Sequence, residues 1–188
     1  MDTNVEVAQL EYHYFFLLSP SREVNDEVNK RKKLLNEIIP LANFNRYSKP
    51  HISLRQVGYK SDVDNEIIEK FDPLLRETRK FKIVLDGVDV HHHADGIKTL
   101  YIKIHNPEPI NAIKHVINLQ FQVPYDIPPH LTIARHISAE HFAKISDRLN
   151  EFNYSGEFNC ESLTLLRRTA IGDKTSPYLK LHEIYFRS

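Results

Sequence analysis

The sequence predicts an α+β fold: two lobes of antiparallel sheet and helices, related by a pseudo-twofold axis, around a central cleft. Three observations predict it. Short apolar runs bounded by proline or glycine alternate with amphipathic helical stretches. The order of these elements returns in the second half of the chain. The 188 residues suit one domain, or two intimately packed lobes, better than two ordinary domains.

The elements follow in order. Tyr12–Leu18, ending at Ser19-Pro20, reads as a buried strand. Ser21 caps a helix running to about Ile39, with Val24, Val28, Leu34, Leu35, Ile38 and Ile39 on one side and Pro40 as its stop. A polar loop leads through Pro50 into a strand over 51–57. Ser61 or Asp62 caps the next helix, which Pro73 kinks or restarts with Asp72 as a local cap. Strands over 81–90 and 99–105 form a hairpin around Asp95-Gly96. A helix over 107–121 precedes a strand over 130–136, entered through Pro129. Ser138 caps a helix with Phe142, Ile145, Leu149 and Phe152 inward. Strands near 158–166 and 177–186 close the chain. His51 to His130 is an offset of 79 residues, while Phe81 to Phe158 and Tyr101–Ile104 to Tyr178–Leu181 are offsets of 77. These landmarks indicate one bilobed domain over 1–188 with an internal duplication, expected to act as a monomer.

Composition narrows the function. Lys plus Arg and Asp plus Glu are both 25, so no broad nucleic-acid-coating surface is expected, though a local basic pocket remains open. No apolar run is long enough to span a bilayer, and MDTNVEVAQLEYHY lacks the form of a signal peptide. The lone Cys160 supports neither an internal disulfide nor a cysteine-based zinc site, so a cytoplasmic protein is expected. Five glycines disfavour a phosphate-binding loop or dinucleotide cofactor. Histidine is abundant, at 11 residues.

Two segments share the pattern Pro-His-apolar-hydroxyl-apolar: Pro50-His51-Ile52-Ser53-Leu54 and Pro129-His130-Leu131-Thr132-Ile133. On a strand, His51 and Ser53 face one way and Ile52 and Leu54 the other, and His130 with Thr132 repeats this. A third match, His136-Ile137-Ser138, is set aside because Ser138 serves as a helix cap. Two imidazoles and two hydroxyls across a cleft suit phosphodiester cleavage. A neutral imidazole removes a proton from the nucleophile, an imidazolium protonates the leaving oxygen, and the hydroxyls donate to non-bridging oxygens. No metal or other cofactor is needed for this scheme.

The paired PHISLR and PHLTIAR segments resemble the two signature motifs of the two-histidine (2H) phosphoesterase superfamily. The second is especially similar to the branch holding bacterial 2′-5′ RNA ligases and 2′,3′-cyclic phosphodiesterases. The resemblance covers most of the chain. It implies a bilobed fold with both motifs lining the cleft, and metal-independent action on RNA ends or nucleotides bearing a cyclic phosphate. It carries the catalytic pairs onto His51 with Ser53 and His130 with Thr132, and a basic substrate-binding residue onto Arg135. His130 is taken as base and His51 as acid for ring opening, the roles exchanging in reverse; the symmetry of the two motifs leaves the opposite assignment open. Simple alternation turns Arg135 away from His130 unless a bulge intervenes. It gives Arg55 the parity of His51, so Arg55 is a second candidate for phosphate, a solvated side chain being the alternative for each arginine.

Other features are weaker. His91-His92-His93 invites a metal reading, but alternation along a strand sends neighbours to opposite faces, and surface binding is the expectation. Tyr12, Tyr14 and Phe16 share a face as core, cleft wall or base-stacking surface. Lys30–Lys33 reads as a solvated helix face, with RNA contact as the minority reading. The leading function is hydrolysis of 2′,3′-cyclic phosphates, with reversible 2′-5′ RNA ligation open. The alternatives are a phosphodiesterase for 2′-5′ oligonucleotides or another small cyclic nucleotide, and a non-catalytic RNA-end-binding module.

Overall fold

A computed structural model describes residues 9–121, 126–172 and 174–188; most of the segment read against a signal peptide lies outside them. The first apolar run forms β1 (Leu10–Leu18). Ser21 Oγ accepts from the Val24 N–H at 3.3 Å and starts α1 (Arg22–Ile38), which ends just before Pro40. The expected polar loop contains a one-turn helix, α2 (Asn43–Arg46). β2 (Ile52–Tyr59) follows Pro50-His51. In α3 (Asp64–Leu75) neither Ser61 nor Asp62 takes the capping position, which Val63 occupies without a side-chain bond. Pro73 neither breaks nor restarts this helix; it lies in the last turn, and the helix stops two residues later.

β3 (Phe81–His92) and β4 (Lys98–Ile104) form the expected hairpin, with Gly96 at φ +83° supplying the left-handed turn residue. α4 (Glu108–Asn118) leads toward β5 (His130–Ile137). Ser138 caps α5 (Ala139–Ala143), but the expected single helix stops there and a 3₁₀ helix covers Ser146–Phe152. Phe142, Ile145, Leu149 and Phe152 recur at spacings of three and four, which both helix types accommodate. The strand expected near 158–166 is two strands, β6 (Ser155–Cys160) and β7 (Ser162–Ile171). β8 (Lys174–Thr175) and β9 (Leu179–Tyr185) complete the chain.

The strands run β6-β3-β4-β5-β2-β1-β7, with β8 and β9 both along the outer edge of β7, and every pair is antiparallel. β2 and β5 meet at one residue pair, Ile52 with Leu131, so the sheet narrows to a waist between two halves. Outward from the waist each half begins with a histidine strand and its antiparallel neighbour; β2-β1 continues into β7, from the far end of the chain, and β5-β4 into β3, the hairpin partner of β4, and then β6. Of the three offset landmarks, only His51 and His130 occupy equivalent places. Phe81 and Phe158 lie on β3 and β6, which pair with each other, and Tyr101–Ile104 and Tyr178–Leu181 fall at different distances from the waist.

The core lies between the sheet and the helices. Val24, Val28 and Leu35 of α1, Phe71 and Leu75 of α3, and Ile110, Ile113 and Ile117 of α4 pack with Ile52, Leu54, Leu131 and Ile133. α1, which lies between β1 and β2 in the chain, contacts β5 and β6, and α4, which lies between β4 and β5, contacts β2, so each helix packs on the opposite half and ties the halves together. Tyr14 and Phe16 are fully buried, and the Tyr14 hydroxyl donates to Asp64 Oδ1 at 2.7 Å; they belong to the core and not to a base-stacking surface. No helix among the described residues is long and apolar enough to cross a membrane.

Candidate active site

The waist brings the two histidine motifs together. Ile52 and Leu131 point into the core at 0% exposure, so their neighbours face the opposite side of the sheet. An antiparallel register through this pair sets His51 across from Thr132 and Ser53 across from His130. All four side chains are half-buried.

Three residues past each histidine, the strand carries one extra residue. Leu17 pairs with Ser53 and Phe16 with Arg55, leaving Leu54 as the bulge in β2. Tyr101 pairs with Thr132 and Leu100 with Ala134, leaving Ile133 as the bulge in β5. Each bulge reverses the side-chain parity of the residues beyond it. Arg135 therefore returns to the face of His130, and its charge acts on His51. Arg55 is turned the other way. It is 5% exposed, stands 4.4 Å over the Phe121 ring, and donates to Asn118 Oδ1 at 2.9 Å. The expectation that Arg55 meets phosphate is thus corrected: it braces β2 against α4 from the core side. At the position equivalent to Arg135, β2 carries Gln56.

The backbone of Arg135 is fixed by a residue that the motifs do not mark. Beyond the waist, no strand among the described residues pairs with β5 on its β2 side. The Asn45 side chain, on α2, fills that role: its Nδ2 donates to the Arg135 carbonyl at 2.7 Å and its Oδ1 accepts the Arg135 N–H at 3.0 Å. The guanidinium lies 5.4 Å from the Phe44 ring centroid.

Both imidazoles are held alike. His51 Nδ1 lies 2.8 Å from the Lys49 carbonyl and His130 Nδ1 lies 2.8 Å from the Pro128 carbonyl, in each case two residues upstream. A carbonyl only accepts, so Nδ1 carries the hydrogen and Nε2 is the acceptor in the neutral ring. An aromatic ring from the adjacent strand buttresses each: Phe15 of β1 against His51 and Tyr101 of β4 against His130, both at 5.2 Å between centroids. The Tyr101 hydroxyl is bonded to Asp89, and burial first, then Asp89, pushes its pKa up.

Burial pushes the pKa of both histidines below the ordinary imidazole value, against the opposing pull of the carbonyl bonds. Lys32, Arg135 and His130 add to the depression at His51, and His91 and Lys114 at His130. Each imidazole thus sits among further cationic or titratable groups, with its neutral form favoured.

The remaining candidates separate. His91 and His93 rings are 4.6 Å apart, His93 Nε2 lies 2.9 Å from Thr99 Oγ1, and the His92 ring packs on Phe142. No group of three or more metal-ligating side chains arises among the described residues. The basic run is not one solvated face: Lys32 is 4% exposed, and Arg31 bonds the carbonyls of Phe152 and Asn153. Phe15, Tyr101 and Asn45 do not stand out in the sequence because their roles depend on cross-strand register and on a loop-borne helix.

Residues 33–172 match the family described as the 2′-5′ RNA ligase superfamily, about three quarters of the chain. A protein of Oceanobacillus iheyensis whose name places it among phosphoesterases is 24% identical over 163 residues, covering 81% of this chain and 88% of its own. The crystal structure of Escherichia coli LigT complexed with 3′-AMP superposes with a TM-score of 0.67 at 16% identity, covering 95% of this chain and 99% of that one. The TT0787 protein of Thermus thermophilus gives a TM-score of 0.65 at 13% identity, covering 92% of this chain and 97% of that one. The fold is therefore LigT-like.

Proposed function

The chain belongs to the 2′-5′ RNA ligase superfamily, and we propose that within it this protein opens 2′,3′-cyclic phosphates on RNA ends or nucleotides. The observation that carries this reading is the quartet at the waist, with His51 across from Thr132 and His130 across from Ser53 on one face of the sheet. The occurrence of LigT in complexes with 3′-AMP, ATP and NADP⁺ supports a nucleotide as the substrate class here.

In the proposed reaction His130 Nε2 takes a proton from water as the water oxygen attacks phosphorus. The bond from phosphorus to one ribose oxygen breaks, and protonated His51 delivers its Nε2 proton to that oxygen. The Nδ1 hydrogen bonds keep Nε2 as the working atom of each ring throughout. Ser53 and Thr132 hydroxyls donate to the non-bridging oxygens, and Arg135 opposes their charge. When a 5′-hydroxyl of a second RNA replaces water, the same transfers join the ends. His51 and His130 exchange roles in the reverse direction.

The test is incubation with a nucleoside 2′,3′-cyclic phosphate in the presence of EDTA, with the product read by phosphorus NMR. One ring-opened monoester isomer, formed at an undiminished rate under chelation, is the expected result. Loss of turnover with EDTA and recovery with zinc or manganese would move the chemistry toward His91–His93 and overturn the two-histidine scheme.

A further inference from the structure

Two lysines are buried where lysine is seldom found: Lys32 on α1 at 4% exposure and Lys114 on α4 at 5%. α1 lies upstream of the first histidine strand, β2, and α4 upstream of the second, β5. Lys32 Nζ donates to the Ser48 carbonyl at 2.6 Å and to Ser48 Oγ at 3.0 Å. Lys114 Nζ donates to the Ile127 carbonyl. Ser48 lies three residues before His51, and Ile127 lies three residues before His130. In each half the carbonyl at minus three is held by an ammonium and the carbonyl at minus two by the imidazole itself. The residue at minus one is proline, Pro50 or Pro129, which holds the preceding residue extended and offers no N–H to this turn.

We propose that Lys32 and Lys114 are positioning residues for the two imidazoles: each anchors the turn that orients its own histidine and places a positive charge behind it. The proposal rests on the reading of His51 and His130 as the acid–base pair. Ser48 and Ile127 are exposed residues whose carbonyls water or a neutral donor could satisfy without the cost of burying an ammonium, so the charge itself needs a reason. That reason is electrostatic: a cation behind the ring disfavours imidazolium until a phosphate anion arrives in front of it.

Charged and titratable groups among the described residues act on each ring from several elements. His51 meets Lys32 from α1 and Arg135 and His130 from β5; His130 meets Lys114 from α4 and His91 from β3. Lys114 in turn feels Asp126. Burial holds the Lys32 amine down to about 8, and Lys32 makes no ion pair among the described residues.

Proton NMR titration of the imidazole Cε1–H signals in the full-length protein tests this without requiring turnover. Lys32→Met is expected to raise the pKa of His51 while leaving His130 in place, and Lys114→Met to do the reverse. Turnover of each variant should fall about 10- to 100-fold, the scale seen when a group that orients a functional ligand is removed. Lys32→Arg should restore the wild-type titration of His51. Lys32→Gln keeps an N–H for the Ser48 carbonyl without the charge and gives the same reading should the Met variant not fold. A folded neutral variant whose own histidine titrates as in the wild type, or in which both histidines shift together, would overturn the proposal. So would failure of every neutral variant to fold, which would leave the lysines a structural role alone. If the histidines prove dispensable for turnover while these site-selective shifts are still seen, the functional reading fails and the lysine placement stands.

Discussion

Arg135 and Arg55 show how one extra residue decides what a side chain does. Their strands begin alike, yet the bulges at Ile133 and Leu54 send Arg135 to the histidine face and Arg55 into the core. Arg135→Ala should therefore lower kcat/KM by at least about tenfold, with a change in stability within about 0.5 kcal/mol, as is usual for an exposed side chain. Arg55→Ala removes a guanidinium bonded to Asn118 and stacked over Phe121, and should destabilise the fold by roughly 2 kcal/mol or more. Chemical denaturation beside steady-state kinetics separates the two; the opposite pairing of losses would show that the bulges are misassigned. The pH profile belongs to the same scale. Burial and cationic neighbours depress both imidazole pKa values, so kcat/KM of the free enzyme should peak on the acid side of about 6.5, with limbs that belong to the coupled pair. The bound phosphate anion favours imidazolium, so the kcat profile should lie at higher pH. Stability follows the same sign. The contribution of the two histidines is fully present above the unfolded value of about 6.5 and is lost as pH falls toward the depressed folded values, because the unfolded chain then binds more protons.

At the scale of elements, the histidine strands are legible from sequence because both are short apolar stretches entered through proline, with alternation intact over their first three residues. The bulges are not, since Ile133-Ala134 and Leu54-Arg55 break alternation in a way that only the partner strand's register resolves. Arg55 misleads for a related reason: the ring that covers it, Phe121, is 66 positions away and outside its strand. Phe142, Ile145, Leu149 and Phe152 mark an apolar face equally well in an α-helix and in a short helix followed by a 3₁₀ turn. α2 escapes a periodicity reading because four residues carry no period, yet it supplies Asn45, which closes the open edge of β5 at Arg135. Asn45→Ala removes both bonds and leaves the Arg135 N–H and carbonyl without these partners. It should cost on the order of 1–3 kcal/mol and lower kcat/KM through Arg135, so in an Arg135→Ala background the same change should leave kcat/KM unaltered. A further loss of kcat/KM in the double variant would mean that α2 acts on the site other than through Arg135.

The whole molecule is a sheet pinched at one residue pair. α1 and α4 cover one face of the sheet, each packed on the half opposite to its flanking strands, and the histidine motifs occupy the other face. Because α1 contacts β5 and α4 contacts β2, the core spans the waist and keeps the two motifs in register. The central claim is that His51 and His130 act together, one on each side of phosphorus. The measurement that addresses it most directly is the single-turnover rate of opening a nucleoside 2′,3′-cyclic phosphate by His51→Ala, by His130→Ala and by the double variant. Circular dichroism and thermal unfolding verify that each is folded. Each single variant should be slower by about 10²- to 10⁴-fold, and the double variant should lose less than the product of the two, as members of one catalytic unit do. A folded variant that lacks either imidazole and turns over at the wild-type rate would contradict the account.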